Sequence, residues 1–372
     1  MDAEGVTPRR TALGAVAALA LLCSGPAQSQ SIGREELRIP MAITGARGLE
    51  ALIVKPAGGG RFPLVLISHG APRKPEDRPG MTPLAFVPQA NEFARRGFAA
   101  VVVMRRGYGN SGDDYAESNG ACKNPDYLRS AAAGVADLRA AIAHLGTRHD
   151  VDTSQIIAVG QSAGGFASVA LAAEPPAGLR AVINFAGGRG SMADDEVCVP
   201  DRLADAFRSF GRTARVPMLW VYSENDRYFG PKLAEQFRAA FVAGGGNVDF
   251  IRAPAYGEDG HRLFPAAAGI PKWTPYVDEF LQRRGLARRT ALLAAPVVAL
   301  KPPLQLNANG RQAFAEYLAA APHKAFAMSP RGAFSWRTGR RSLENAKAAA
   351  LEGCAKFAPD CRIIVTDDTA AP

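Results

Sequence analysis

The 372-residue sequence is poor in the residues that staple or metallate a protein. It has five cysteines and five histidines, with no CxxC pair and no cysteine adjacent to a histidine. That composition lacks the ligand spacing of a structural zinc site. No run of five or six like charges occurs, which excludes a charged tail. Lys and Arg (44) outnumber Asp and Glu (35), for a formal charge of +9, but the excess is scattered and forms no basic stripe with aromatics among it. The expectation is a soluble basic surface with no nucleic-acid partner. The 38 glycines and 27 prolines follow no period, which excludes a collagen-like chain. No internal repeat is present. Beyond the N-terminus no segment reaches the ~20 apolar residues that a membrane span needs.

A composition of 47% hydrophobic and 21% charged residues suits a folded chain. The length fits two domains, or one large α/β domain with an appendix. Arg9 and Arg10 precede an uncharged run from Thr11 to Ala20, then Leu21, Leu22 and Cys23, then small residues through Gly25-Pro26-Ala27-Gln28-Ser29. A basic start, a short apolar stretch and a small-residue site make residues 1–29 an export signal, cleaved after Ala27 or Ser29, by either the general or the twin-arginine route. Leu22 is too bulky for the residue before a lipidated cysteine, so Cys23 is not an anchor. The mature protein is then periplasmic or secreted. Its four cysteines sit in an oxidising compartment and form two disulfides. The close spacing of Cys354 and Cys361 favours that pair, which leaves Cys122 with Cys198.

From about residue 50 to 285, short β-rich apolar runs alternate with Ala/Leu-rich amphipathic stretches. The runs are Leu52–Val54, Pro63–Ser68, Phe98–Met104, Ile156–Val159, Ala181–Phe185, Met218–Tyr222 and Val248–Ile251. The helical stretches are Pro88–Arg96, Tyr127–Leu145, Ser162–Ala173, Pro231–Ala243 and Thr274–Arg284. This is the pattern of a parallel sheet buried on both faces and flanked by helices. In such sheets chemistry sits beyond the carboxyl ends of the strands.

The residues there carry a nucleophile and its partners. After Ile156–Val159 comes Gly160-Gln161-Ser162-Ala163-Gly164. A G-x-S-x-G between a β-run and a helix is a sharp strained turn that lifts the Ser162 hydroxyl out of the sheet. A serine needs a base. Of the histidines that follow it, His261 sits in the loop after the Val248–Ile251 run, whereas His323 lies past the sheet. The acid that orients the imidazole belongs after Met218–Tyr222, where Asp226 is the choice and Glu224 the alternative. Asp249 falls inside a run, and Asp259 is nearly adjacent to His261. The oxyanion needs two backbone N–H donors. These are Ala163, next to the nucleophile, and Ala71 in His69-Gly70-Ala71-Pro72, since Pro72 has no N–H. His69 shapes that loop and is not a base. Loops 113–126, with Cys122, and 187–202, with Cys198, both follow strands, so their bridge would tie them over the pocket.

Ser68-His69-Gly70, Arg105-Arg106-Gly107-Tyr108-Gly109-Asn110-Ser111-Gly112, the G-Q-S-A-G-G run, Asn225-Asp226 and Gly260-His261 together resemble the α/β-hydrolase superfamily. Within it the resemblance is to the dienelactone hydrolase-like and prolyl oligopeptidase-like branches. It implies an α/β-hydrolase fold with a mostly parallel eight-stranded sheet, a Ser/Asp/His triad in that chain order, and no cofactor. In related folds the Arg105–Gly112 loop packs under the nucleophile turn. Dienelactone hydrolases carry a cysteine nucleophile where this chain has Ser162, so their substrate does not carry over.

The expected organisation is an export signal (1–29), an α/β-hydrolase catalytic domain (30–287), a linker (288–307) and a small disulfide-stapled α+β domain (308–372). The last holds helices Gly310–Ala320 and Ser342–Lys356 and strands Lys324–Met328 and Arg362–Thr366, with Phe334 and Trp336 in its core. It has no catalytic set and an unidentified partner. The expected function is an exported serine esterase acting on a small-molecule ester. The alternatives are a peptidase or amidase of the prolyl oligopeptidase-like type, and a non-catalytic hydrolase-fold binding protein. Prolyl oligopeptidases usually carry an N-terminal propeller, and the roughly twenty residues between the export signal and the first sheet run weigh against that branch.

Overall fold

A computed structural model describes residues 31–296 and 298–371. The expected export segment, with Cys23 and the cleavage points after Ala27 or Ser29, lies outside the described residues. In chain order the body contains β1 (Ile32–Ile39), β2 (Leu49–Pro56), β3 (Phe62–Ser68), α1 (Val87–Arg95), β4 (Ala99–Val103), α2 (Tyr127–Leu145), β5 (Val151–Gln161), α3 (Ala163–Leu171), β6 (Leu179–Phe185), β7 (Ser191–Ala193), β8 (Glu196–Val197), α4 (Pro200–Gly211), β9 (Met218–Ser223), α5 (Pro231–Ala243), β10 (Asp249–Ala253) and α6 (Ile270–Arg283). Then follow α7 (Ala308–Ala319), β11 (Ala325–Met328), β12 (Phe334–Arg337), α8 (Leu343–Ala355), β13 (Arg362–Thr366) and β14 (Thr369–Ala370). Among the described residues no helix is long and apolar enough to cross a membrane.

Eight strands form one sheet in the order β1-β2-β4-β3-β5-β6-β9-β10. β1, β2 and β4 pair antiparallel, and the pairs from β4 to β10 are parallel. The strands are apolar on both faces because both faces are covered. Leu64, Leu66, Val101 and Ala158 join Leu138, Phe166, Phe207 and Phe237 from α2, α3, α4 and α5. Their alternates Val65, Ile67, Val102 and Val159 pack with Phe93 of α1 and Trp273 of α6. Period-2 alternation thus sends adjacent residues into two separate cores.

Two regions of the body depart from the sequence reading. β1 escapes it because Arg34, Glu35, Glu36 and Arg38 interrupt the pattern. As an antiparallel edge strand it buries only Leu37 and Ile39. Residues 187–202 are not one loop. They hold the β7–β8 hairpin and the first turn of α4, whose Leu203, Ala206, Phe207 and Phe210 make a buried helical stripe behind Pro200 at its start.

Cys122 and Cys198 are bonded, with Cα atoms 4.9 Å apart, as are Cys354 and Cys361, 6.1 Å apart. The first bridge fastens the 113–126 loop to the start of α4, where Tyr127 also donates its hydroxyl to the Cys198 carbonyl. The C-terminal strands form a separate antiparallel sheet in the order β12-β11-β13-β14. Phe326 and Met328 face Phe314 and Tyr317 of α7, with Phe334 and Trp336 packed alongside. Ala325 and Ala327 face Ala346, Ala350 and Cys354 of α8. β12 escapes the sequence reading because Ser335 and Arg337 alternate with its two aromatics, and β14 because it has only two residues. This unit grips the body through Arg341, which donates to both Glu50 carboxylate oxygens (3.1 and 2.7 Å) and to the Pro79 and Met81 carbonyls.

Candidate active site

Strand order fixes where the site can be. The chain leaves β3 for β4 on one side and returns through α2 to β5 on the other. The loops after β3 and β5 therefore diverge at the switch point where open α/β sheets bind ligands. Ser68 is registered against Gly160, so His69-Gly70-Ala71 lies beside the turn that carries Ser162. A Cβ on Gly70 would sit 3.1 Å from Ser162 Cβ.

The turn is as tight as G-x-S-x-G requires. Ser162 has φ 56° and ψ −123°, a conformation that costs an L residue about 1–3 kcal/mol and persists only where its surroundings impose it. Those surroundings are two glycines. A Cβ on Gly160 would meet the Gly164 carbonyl at 2.2 Å, and one on Gly164 would meet the Ser68 carbonyl at 2.1 Å. Ala163 opens α3, so its N–H has no partner inside the helix. Among the described residues neither the Ala163 nor the Ala71 N–H donates a hydrogen bond.

Backbone hydrogen bonds stitch the strand ends from the serine to the histidine. Ser162 N donates to Phe185 O (2.9 Å), Ala186 N to Val221 O (2.9 Å), Glu224 N to Ala253 O (3.0 Å) and Gly260 N to Asn225 O (3.1 Å). Asp226 and His261 end this chain, both buried. His261 Nδ1 lies 3.0 and 3.2 Å from the two Asp226 oxygens. Asp226 Oδ1 also accepts from the Tyr228 and Phe229 N–H groups (2.7 and 2.9 Å), which fix the carboxylate's orientation. Because the carboxylate accepts, Nδ1 carries the proton and Nε2 is left to act as base. Glu224 is exposed, and among the described residues it is Asp226 that pairs with the ring. Asp259 instead accepts from the backbone N–H groups of Arg227 and His261 (3.0 and 2.9 Å) and shapes the turn. Among the described residues no hydrogen bond joins Ser162 Oγ to His261. Gly188, whose N–H donates to Ser162 O (3.2 Å), and Phe229, which packs on Gly188 and edges onto the His261 ring (5.7 Å), lie between the two turns. Such nucleophile–base contacts often close only on substrate.

Behind the serine lies a buried ionic cluster. Arg105 donates to Ser68 Oγ (2.7 Å), to His69 O (2.8 Å) and to both oxygens of Glu117. Arg189, on the loop after β6, donates to the same carboxylate and to Ser130. Burial alone would raise the Glu117 pKa, but the Arg105 and Arg189 guanidiniums overturn that and hold the carboxyl at about 2. His69 is pushed well below its ordinary value, by burial first and by Arg105 second, so it is neutral. Its Nε2 accepts from Arg105 N (3.1 Å), so Nδ1 carries the proton and donates to Gly70 O (2.6 Å). His69 therefore holds the loop that presents Ala71. His323 lies in the C-terminal unit against Arg340 O.

The sequence profile of the X-Pro dipeptidyl-peptidase (S15) family matches residues 45–206, less than half of the chain. The backbone is similar to that of Thermogutta terrifontis esterase 2, described as phosphorylated by paraoxon. The TM-score is 0.50 at 19% identity, over 69% of this chain and 96% of that one. The chain has the α/β-hydrolase fold. A dienelactone hydrolase from Klebsiella pneumoniae is similar with a TM-score of 0.48 at 17% identity, covering 68% of this chain and 99% of its own. An acylaminoacyl peptidase from Pyrococcus horikoshii gives 0.49 at 15% identity, over 72% of this chain and 43% of the peptidase. No curated protein matches. The S15 match spans Ser162 and ends before Asp226 and His261. Within the α/β-hydrolase frame, Glu117, Arg189 and Tyr228 are site neighbours that sequence reasoning does not single out. A lone glutamate in a polar loop has no spacing signal.

Proposed function

We propose that this α/β-hydrolase is an exported serine hydrolase that cleaves carboxylic esters through Ser162, His261 and Asp226. As Ser162 Oγ bonds to the ester carbonyl carbon, its proton passes to His261 Nε2. Asp226 keeps Nδ1–H in place and stabilises the imidazolium. The carbonyl oxygen becomes an oxyanion received by the N–H groups of Ala163 and Ala71. Collapse of that intermediate expels the alcohol, which takes the proton from His261. Water, deprotonated by the same ring, then frees the acid and restores Ser162.

The observation that carries the reading is the His261–Asp226 pair, linked by strand-end hydrogen bonds to a serine held at φ 56°. The match to a family described by dipeptidyl-peptidase activity favours amide cleavage as the second reading. The paired cysteines support an oxidising location, periplasmic or secreted. We read residues 30–287 as the catalytic domain, 288–307 as linker and 308–372 as a packing or binding unit, which the separate cores support. A panel of p-nitrophenyl esters of graded chain length, run beside peptidyl p-nitroanilides, tests the substrate class. The expected result is turnover of a short or medium ester, lost in Ser162→Ala. Turnover confined to the anilides would install the second reading.

A further inference from the structure

The Asp226 hydrogen bond fixes one edge of the His261 ring, but a single hydrogen bond leaves the ring plane free to tilt. The plane is set elsewhere. The Tyr228 ring lies against the imidazole with centroids 3.9 Å apart and planes within 11° of parallel. Arg73 Cζ lies 3.6 Å from the same Tyr228 centroid. Two groups this close to one ring centre cannot share a face without overlapping. Tyr228 is therefore sandwiched, with the imidazole on one side and the guanidinium on the other.

The guanidinium is itself held by three hydrogen bonds. Arg73 donates to Asp194 Oδ1 (2.8 Å), Ser191 Oγ (3.1 Å) and Arg227 O (3.1 Å). Asp194 is shared with Arg227 Nη1 (3.1 Å). Arg73 follows the 69–71 loop, Ser191 and Asp194 belong to the β7–β8 hairpin, and Arg227 follows the acid. One side chain thus fastens the oxyanion loop, the hairpin and the acid loop together, and does so on the back of the ring that supports the base. Each of its three nitrogens is engaged in one of these bonds, which fixes the plane of the guanidinium. The charged groups around the stack are Asp194, Arg227, Asp226 and Asp259.

We propose that Arg73 is a positioning residue for His261, acting through the face of Tyr228. The proposal rests on the serine-hydrolase reading above. A stack of guanidinium, phenol and imidazole is attractive by cation–π and aromatic contact. It holds the ring plane in which Nε2 must meet Ser162 Oγ, and misplacements near 1 Å cost up to about 100-fold in rate.

The test compares Arg73→Met, Tyr228→Leu and Tyr228→Phe with the unaltered protein. It measures kcat and KM on the best p-nitrophenyl ester, the rate of phosphorylation by paraoxon, and Tm. The expected result for Arg73→Met and Tyr228→Leu is a kcat lower by roughly 10- to 100-fold, with KM within about threefold and a parallel fall in phosphorylation rate. Tyr228→Phe, which keeps the ring face, should recover most of the Tyr228→Leu loss. A raised KM with unchanged kcat in Arg73→Met would make Arg73 a substrate contact and overturn the proposal. So would equal losses in Tyr228→Phe and Tyr228→Leu, or phosphorylation at the unaltered rate in Arg73→Met. If Arg73→Met lowers Tm enough to confuse its kinetics, Arg73→Lys takes its place, since it keeps the charge and loses the planar stack: the same fall in kcat is expected, and an unchanged kcat would overturn the proposal. Absence of phosphorylation in the unaltered protein would instead strike the serine-hydrolase reading itself, so the two failures are distinct.

Discussion

Substituting His261 by glutamine should lower kcat/KM on a p-nitrophenyl ester by at least about 10,000-fold while leaving the fold intact. Glutamine can still donate to the buried Asp226 carboxylate, whose other contacts come from the Tyr228 and Phe229 backbone and do not depend on the ring. What it cannot do is accept the Ser162 proton and return it to the leaving alcohol. The proposed triad acts as one unit, so the double variant Ser162→Ala/His261→Gln should be scarcely worse than either single change. Kinetics on the two singles and the double, with circular dichroism to confirm folding, check this. Losses that multiplied in the double variant would mean that the two residues do not share a step.

The largest expected effect on stability lies behind the serine. Glu117 is the counter-charge for two buried guanidiniums, Arg105 and Arg189. Glu117→Gln keeps the shape and removes the charge, leaving two like charges facing each other away from water. Breaking a buried pair in this way costs about 3–5 kcal/mol, to be read from urea unfolding. The pH dependence has a definite sign. The folded-state pKa of Glu117 is held down from an ordinary 4.5 to about 2. Its contribution is therefore complete above pH 4.5 and is lost as pH falls toward 2. By linkage it amounts to about 3 kcal/mol. The difference in unfolding free energy between the unaltered protein and Glu117→Gln should accordingly shrink as pH is lowered through that window. A difference that stayed constant would remove the ionic account. Because Arg105 also clamps Ser68 and His69, the variant should lose activity as the loop bearing Ala71 loosens.

The body of the fold is legible where one physical signal dominates. Strands buried on both faces read as unbroken apolar runs, and Tyr127–Leu145 and Pro231–Ala243 begin and end where the sequence pattern does. β1 is obscured because an edge strand with one wet face interleaves charges with its two buried residues. α4 is obscured because its start lies in a polar loop shared with the β7–β8 hairpin. Ser162, Asp226 and His261 can be picked out because each follows an apolar run, and parallel runs deliver their carboxyl ends to one rim. Glu117 and the Arg73–Tyr228–His261 stack cannot. Each depends on residues far apart in the chain meeting after the sheet has formed, and single Glu, Arg and Tyr residues in loops carry no periodicity.

Reaction with paraoxon, followed by intact-mass and peptide-mapping mass spectrometry, tests the central claim most directly. The predicted result is one diethylphosphoryl group on Ser162, absent from Ser162→Ala and formed far more slowly in His261→Gln. A folded protein that gains no adduct at Ser162, or a Ser162→Ala variant labelled as fast as the unaltered chain, would contradict it.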